Sequence, residues 1–252
     1  MDNSPTIQLA EDRQIALTRA LEVLSEGTFG EEQGRLRWSS NFTFLVELCH
    51  NETRLKAIYK PQRGERPLWD FPDGTLCYRE VAAYRVSEAL GWHLVPPTML
   101  REARGLGSVQ LFIEHNPEIT YFNLDTAFIP VLQQLALFDF ITNNADRKGG
   151  HCLVGAGSRL WAIDHGICFH VVPKLRTVIW NFAGDPLPAD LSPTVEALGQ
   201  QLCDSSTALY GLLAQLITPQ EIEAMVTRVQ RLLKAGKFPK PGHGPSYPWP
   251  PV

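Results

Sequence analysis

Nowhere in its 252 residues does the sequence hold an apolar run as long as a helix needs to cross a membrane. That sets aside an integral membrane protein of the helical kind. Cysteine is scarce and scattered. The residues Cys49, Cys77, Cys152, Cys168 and Cys203 are odd in number and form no Cys-x-x-Cys pair. A disulfide framework is therefore not expected, and reduced, buried thiols are. Positive charge is not in excess either: 23 Lys and Arg stand against 27 Asp and Glu, for a net charge of -4. Bulk binding to nucleic acid or to anionic membranes is not indicated. The opening Met1-Asp2-Asn3-Ser4-Pro5 lacks the basic-then-apolar order of a signal peptide. No internal repeat is visible. The expectation is a cytoplasmic protein with neither a nucleic-acid partner nor integral membrane association. Its 44% hydrophobic and 20% charged content is ordinary for a globular chain of one large domain or two lobes.

What is present divides into a β-rich first part and a mostly helical second part. Residues 11–25 carry apolar positions at helical spacing, with Gly27 as a stop. Strands are expected at 35–38, 42–49 and 54–60, with His50-Asn51-Glu52 as a turn. Residues 61–75, rich in Pro and Gly, read as a long loop, and 78–90 as a helix closed by Gly91. Pro96-Pro97 keep 94–101 extended, and 108–114 is an apolar strand. A helix at 128–141 takes Pro130 in its first turn. Further helices are expected at 194–203, 206–217 and 219–235. Residues 239–252, dense in Pro and Gly, read as a surface or disordered tail. This order describes two unequal lobes with a cleft between them.

The chemistry concentrates in Asn143-Asn144-Ala145-Asp146-Arg147-Lys148 and, after a short hairpin, in Ile163-Asp164-His165-Gly166. Loops at one end of a hairpin can bring two carboxylates to one small volume. Phosphoryl transfer uses such a pair: one orients the attacking hydroxyl, the other holds the metal that carries the phosphates. The plain alternative is an Asx turn at Asp146 and a capping Asp at 164. Upstream, Lys60 ends a strand in Ala57-Ile58-Tyr59-Lys60-Pro61, where a lysine can meet phosphate oxygens as a point charge. Glu80, near the start of the next helix, is the candidate that steadies it, with Glu88 as rival. Ser39-Ser40-Asn41, between two strands, can offer N–H and hydroxyl groups to phosphate or be a plain turn. His151, Cys152, His165, Cys168 and His170 form a competing zinc constellation, but their spacing matches no common zinc pattern.

In order along the chain, Ala57-Ile58-Tyr59-Lys60-Pro61, Arg79-Glu80-Val81-Ala82-Ala83-Tyr84, Val95-Pro96-Pro97-Thr98, Gly107-Ser108-Val109-Gln110-Leu111-Phe112-Ile113, Asn144-Ala145-Asp146-Arg147 and Ile163-Asp164-His165-Gly166 resemble the type II phosphatidylinositol 4-kinases. More distantly they resemble the HipA-type kinases. The nearest likeness is to a bacterial family of phosphatidylinositol 3-/4-kinase-like proteins. The similarity spans roughly residues 26–184.

The resemblance implies an α+β, two-lobed protein-kinase-like (PI3/PI4-kinase-like) fold. Residues 1–113 would form a β-rich N-lobe, 114–240 a mostly helical C-lobe, and 241–252 a Pro-rich tail. It implies an ATP-dependent phosphotransferase that passes the γ-phosphate to a hydroxyl of a protein or a small molecule, with Mg²⁺ or Mn²⁺. Lys60, with Glu80, would bind the ATP phosphates under a covering loop at Ser39, Ser40 and Asn41. Gln110, Phe112 and Ile113 would lie on the lobe-connecting strand that meets adenine. Asp146 would be the catalytic residue and Asp164 the metal ligand. Where these kinases usually place a metal-binding asparagine, this chain has His151. An imidazole is a poorer ligand for magnesium than an oxygen donor. Two alternatives stay open beside the active kinase: a nucleotide-binding pseudokinase or regulatory module, and an AMP transferase using the same cleft.

Overall fold

The computed structural model describes residues 4–35, 42–102 and 104–252. Residues 36–38 of the expected strand at 35–38 and the Ser39-Ser40-Asn41 triplet lie outside the described residues. The chain opens with an antiparallel hairpin, β1 (Thr6–Ala10) and β2 (Arg13–Ala16), where a helix over 11–25 was expected. Helix α1 begins only at Leu17 and runs to Glu26. Ile7 and Ile15 face each other across the hairpin and are both buried. That alternating pair outweighs the helical spacing of residues 15–17.

Five antiparallel strands form the main sheet: β3 (Thr28–Arg35), β4 (Phe44–His50), β5 (Thr53–Pro61), β6 (Thr98–Arg101) and β7 (Gly107–Leu111), in the order β3-β4-β5-β7-β6. Asn51 and Glu52 turn β4 into β5 with positive φ, as their turn chemistry allows. β7 ends at Leu111, short of the expected 114, but Phe112 N–H still bonds the Lys56 carbonyl at 3.1 Å. One apolar core joins this sheet to α1 and the hairpin, and also takes in Leu153 and Trp161 from the second half.

Helix α2 (Leu76–Ala89) carries no polar stripe, because most of its length is buried. Ala82, Ala83, Val86 and Leu90 enter the second core, which belongs to the helical half. That half holds α3 (Ile129–Thr142), the short hairpin β8 (Cys152–Val154) and β9 (Leu160–Ala162), then α4 (Ser192–Cys203), α5 (Ala208–Leu213) and α6 (Pro219–Ala235). α5 is shorter than the expected 206–217, since Thr207 caps it by accepting from Tyr210 N–H. α6 has the expected bounds: Thr218 and Glu221 form a reciprocal cap, and Gly236 closes the helix at φ +59°. The result is an α+β molecule with a β-sheet N-terminal part and a helical C-terminal part. Among the described residues, no helix is long and apolar enough to cross a membrane.

Candidate active site

Lys60 leaves the sheet at the end of β5 and turns its ammonium into the cleft. It pairs there with Glu80 Oε1 from α2 and, at 3.0 Å, with Asp164 Oδ1. Glu80 is almost fully buried, and its second oxygen accepts from the His165 N–H at 3.0 Å. One carboxylate thus joins strand, helix and the Asp164 turn. Glu88 takes no part, because it pairs with His93 Nδ1 at 2.8 Å. Burial alone would lower the Lys60 value, but Asp164 and Glu80 reverse this and hold it well above the ordinary lysine range.

Asp164 sits just past β9 with φ +63°, a left-handed conformation that aspartate tolerates better than most residues. The Lys60 charge holds its carboxyl well below the usual range, against the effect of burial, with help from His151. Its side chain keeps 51% of its surface exposed, so an ionised carboxylate faces the cleft.

Asp146 reaches the same cavity from the loop after α3. Asn143 ends the helix in a left-handed conformation (φ +53°), its amide donating to the His170 and Val172 carbonyls. The Asn144 side chain accepts from the Asp146 N–H at 2.9 Å. Arg147 is fully buried and forks onto Asp139 of α3, at 3.0 Å through Nη2. It also donates to the Ile163 carbonyl at 2.8 Å and meets His165 Nε2 at 2.6 Å. This guanidinium is what ties the Asp146 loop to the Asp164 turn. Sequence reasoning assigned Arg147 no role. Its only local signal was an acid eight residues upstream, Asp139. Burial pushes Asp146 up to about 6. Lys148 pulls it down, with Nζ 3.6 Å from Oδ2, and Asp164 adds to the rise.

His151 Nε2 lies 3.4 Å from Asp164 Oδ2. Burial lowers this imidazole to about 4, so it is neutral at ordinary pH. Its Nδ1 accepts weakly from the Lys148 N–H at 3.4 Å, which leaves the Nε2 proton to face Asp164. The donor set suits a hard divalent cation. It offers one ionised, half-exposed carboxylate with a second acid on the same wall, and such cations take one or two carboxylates plus phosphate oxygens. Among the described residues, no group of three or more His, Cys, Asp and Glu is arranged to hold a metal ion. Burial also pushes Cys152 up to about 12 and Cys168 higher still, which disfavours the thiolates zinc would need.

Two openings share these residues. A cavity of about 440 Å³ is lined by Ile58, Gln110, Phe112, Ile113, Leu153 and Ile163, and also by Lys60, His151 and Asp164. That largely apolar cavity with a few polar groups has the size and make-up of a small-molecule site. The Gln110 side chain is spent on Thr98 Oγ1 at 2.8 Å, and the Leu111 N–H on the Pro97 carbonyl at 2.9 Å. A second, narrow cavity of about 70 Å³ brings together Lys60, Glu80, Asp146 and Asp164.

Fold and cleft together define a protein of the kinase fold. The structure aligns with the crystal structure of the Golgi casein kinase with Mn/ADP bound at a TM-score of 0.56 and 14% identity, covering 86% of this chain and 74% of that one. It aligns with the structure of hydra Fam20 with sugar at a TM-score of 0.54 and 14% identity, covering 91% of each. No family model matches the sequence. The chain belongs to the family of Protein Rv2133c of Mycobacterium tuberculosis (strain ATCC 25618 / H37Rv), with 39% identity over 254 aligned residues, 86% of this chain and 90% of that protein. It is also 28% identical over 178 residues to phosphatidylinositol 4-kinase gamma 4 of Oryza sativa subsp. japonica, across 62% of this chain but only 31% of the plant protein. The family is kinase-like.

Proposed function

We propose that this protein is an ATP-dependent phosphotransferase that moves the γ-phosphoryl group to a hydroxyl acceptor. The observation that carries the reading is Lys60 held between Glu80 and Asp164, with Asp146 on the same cavity wall. In this reading ATP lies between a lobe of residues 1–113 and one of residues 114–240, with 241–252 as a tail. The base fills the apolar slot beside Gln110, Phe112 and Ile113, and Lys60 neutralises phosphate oxygens. Asp164, with His151 beside it, would hold Mg²⁺ or Mn²⁺, which when bound neutralises phosphate charge and orients the phosphoryl group. Asp146 accepts a hydrogen bond from the acceptor hydroxyl and takes its proton as the new P–O bond forms and ADP leaves. A value near 6 leaves it ionised at neutral pH yet basic enough for that task. Lys148, beside Asp146, adds positive charge where the phosphoryl group passes.

One observation favours a second reading. His151 turns an N–H and not a lone pair toward Asp164, so it competes with a metal for that carboxylate, as suits a protein that binds nucleotide without transferring phosphate. Purified protein with labelled ATP and either Mg²⁺ or Mn²⁺ separates the two. Turnover or autophosphorylation that Asp146→Asn reduces by about 10²-fold or more, with nucleotide affinity kept, supports the kinase. Binding with no transfer in either protein supports the second reading.

A further inference from the structure

The ring of His165 is fully buried, and its Nδ1 has no hydrogen-bond partner among the described residues. Its neighbour fixes the tautomer. Arg147 Nη2 lies 2.6 Å from His165 Nε2, and a guanidinium can only donate. Nε2 therefore holds a lone pair, and the ring proton stands on the orphaned Nδ1. A buried donor left unsatisfied carries its full desolvation cost. The pocket suits an apolar ring, since Phe138 meets the imidazole edge to face with centroids 5.5 Å apart. A phenyl group would pack there with no orphan. The imidazole is thus accounted for by what its Nε2 accepts, and not by packing.

What it accepts is one arm of a clamp. The Arg147 guanidinium holds Asp139 of α3 through Nε and Nη2. It also grips both neighbours of Asp164: Nη1 donates to the Ile163 carbonyl at 2.8 Å, and Nη2 to His165 Nε2. Asp164 stands between them at φ +63°, a conformation that a residue with a Cβ keeps only when its surroundings hold it there. The main chain adds one tie beyond this turn, from the Ala145 N–H to the Ile167 carbonyl at 3.2 Å. On the immediate neighbours of Asp164, the ties to residues 143–148 among the described residues are the two that Arg147 makes. The His165 N–H meanwhile donates to Glu80 Oε2 at 3.0 Å. One residue thus binds the Lys60–Glu80 pair through its main chain and the Asp146 loop through its side chain.

We propose that His165 is a positioning residue, whose Nε2 holds Arg147 so that Asp146 and Asp164 keep one spacing, and that the orphaned Nδ1–H is the stability given up for it. This rests on the kinase reading above. Phosphoryl transfer sets the acid/base group and the metal-holding carboxylate on different atoms of one in-line path, so their separation has to be held. The Ile163 carbonyl by itself leaves a pivot. The second contact, on the other flank of Asp164, removes it.

The test uses the full chain and two full-length variants. His165→Phe keeps a ring against Phe138 and removes both nitrogens. His165→Gln brings an amide oxygen within reach of Arg147, but also two N–H groups to a place that offers the imidazole N–H no acceptor. ATP turnover with Mn²⁺ is read as ADP release, with water or the protein itself as acceptor. Deuterium exchange at the amides of Ile163 and of residue 165 follows the turn, and urea midpoints follow stability. His165→Phe is expected to lower kcat by about tenfold or more with KM for ATP within about twofold. Exchange at both amides should quicken by about tenfold. Its urea midpoint should be no lower than that of the unaltered chain, because the orphan donor is gone. His165→Gln is expected to recover most of kcat and the slow exchange, at a lower urea midpoint. A histidine with a merely structural role would not make activity and stability cross in this way. A His165→Phe protein with kcat and exchange unchanged overturns the proposal and leaves the kinase reading standing. So does a pair of variants in which kcat follows the urea midpoint. An unaltered chain that releases no ADP overturns the proposal together with the kinase reading.

Discussion

Burial lifts the Asp146 carboxyl to about 6, and the Asp164 charge adds to that against the pull of Lys148. A carboxyl whose value is higher in the folded than in the unfolded chain binds its proton more tightly when folded. Its contribution favours folding below pH about 4, the unfolded value, and is lost as pH rises through about 6. In metal-free protein, Asp146→Asn should therefore raise stability at pH 8 by about 1–2 kcal/mol and change it little at pH 4. Thermal melts of both proteins across that range check this. A gain over the unaltered protein no larger at pH 8 than at pH 4 would mean that the carboxyl is not held in the environment described. Next to it, His151 stays neutral above about pH 4 and turns Nε2 toward Asp164. An asparagine there can offer an amide oxygen where the imidazole offers an N–H, and an oxygen donor suits the harder cation. His151→Asn is thus expected to raise the ratio of Mg²⁺-supported to Mn²⁺-supported turnover. The two rates measured side by side test it, and an unchanged ratio would remove His151 from the metal corner. Both acids stood out in the sequence because their flanks are unusual: paired asparagines before Asp146, and an apolar strand running into a glycine around Asp164. Arg147 was not legible, because its partners Asp139, Ile163 and His165 meet only in the folded chain.

Helix α2 shows how an element can be legible while its anchor is not. Its N-terminal residue Thr75 makes no side-chain cap. Instead the Glu65 carboxylate reaches back from the preceding loop to accept from the Leu76 N–H at 3.0 Å and the Cys77 N–H at 2.8 Å. A carboxylate on two orphan donors at a helix N-terminus stabilises by hydrogen bonding and by the helix dipole. Glu65→Ala should cost about 1–2 kcal/mol in urea denaturation and weaken nucleotide binding by loosening the helix that carries Glu80. A loss of stability with nucleotide affinity unchanged would separate the cap from the site. By contrast α6, with Thr218 and Glu221 spaced as a capping box and Gly236 beyond, was readable to its bounds. The hairpin of β1 and β2 was misread because Ile15, Ala16 and Leu17 fit a helical stripe equally well. The cross-strand contact with Ile7 that decides against it is not a local property.

Across the whole molecule, the sheet-bearing part and the helical part are joined by more than a connecting strand. Arg79, one residue before Glu80, is buried and pairs with Glu221 of α6 at 2.6 Å, while its other nitrogen donates to the Cys168 carbonyl at 2.7 Å. The Lys60–Glu80 pair is thus carried by a helix fastened to the far half, and α2 shares that half's core. Breaking a buried ion pair by removing one partner leaves a charge without compensation. Arg79→Met is expected to lower the unfolding free energy by about 3–5 kcal/mol, read from the urea midpoint. A change within about 0.5 kcal/mol, the range of ordinary surface substitutions, would show that α2 is not held this way.

By itself the sequence determined which segments alternate and which recur at helical spacing, where proline and glycine interrupt them, and which acids and which lysine stand at element ends. These are local properties, fixed by backbone sterics and by side chains a few residues apart. Only the tertiary structure decided that Glu80 and not Glu88 meets Lys60, that Arg147 ties the Asp146 loop to the Asp164 turn, and that Ser246 and Pro251 lie against the Asp146 loop. Each of those contacts joins residues distant along the chain. Their partners are chosen by burial, since a buried charge or N–H must be satisfied by whatever group the fold brings within reach.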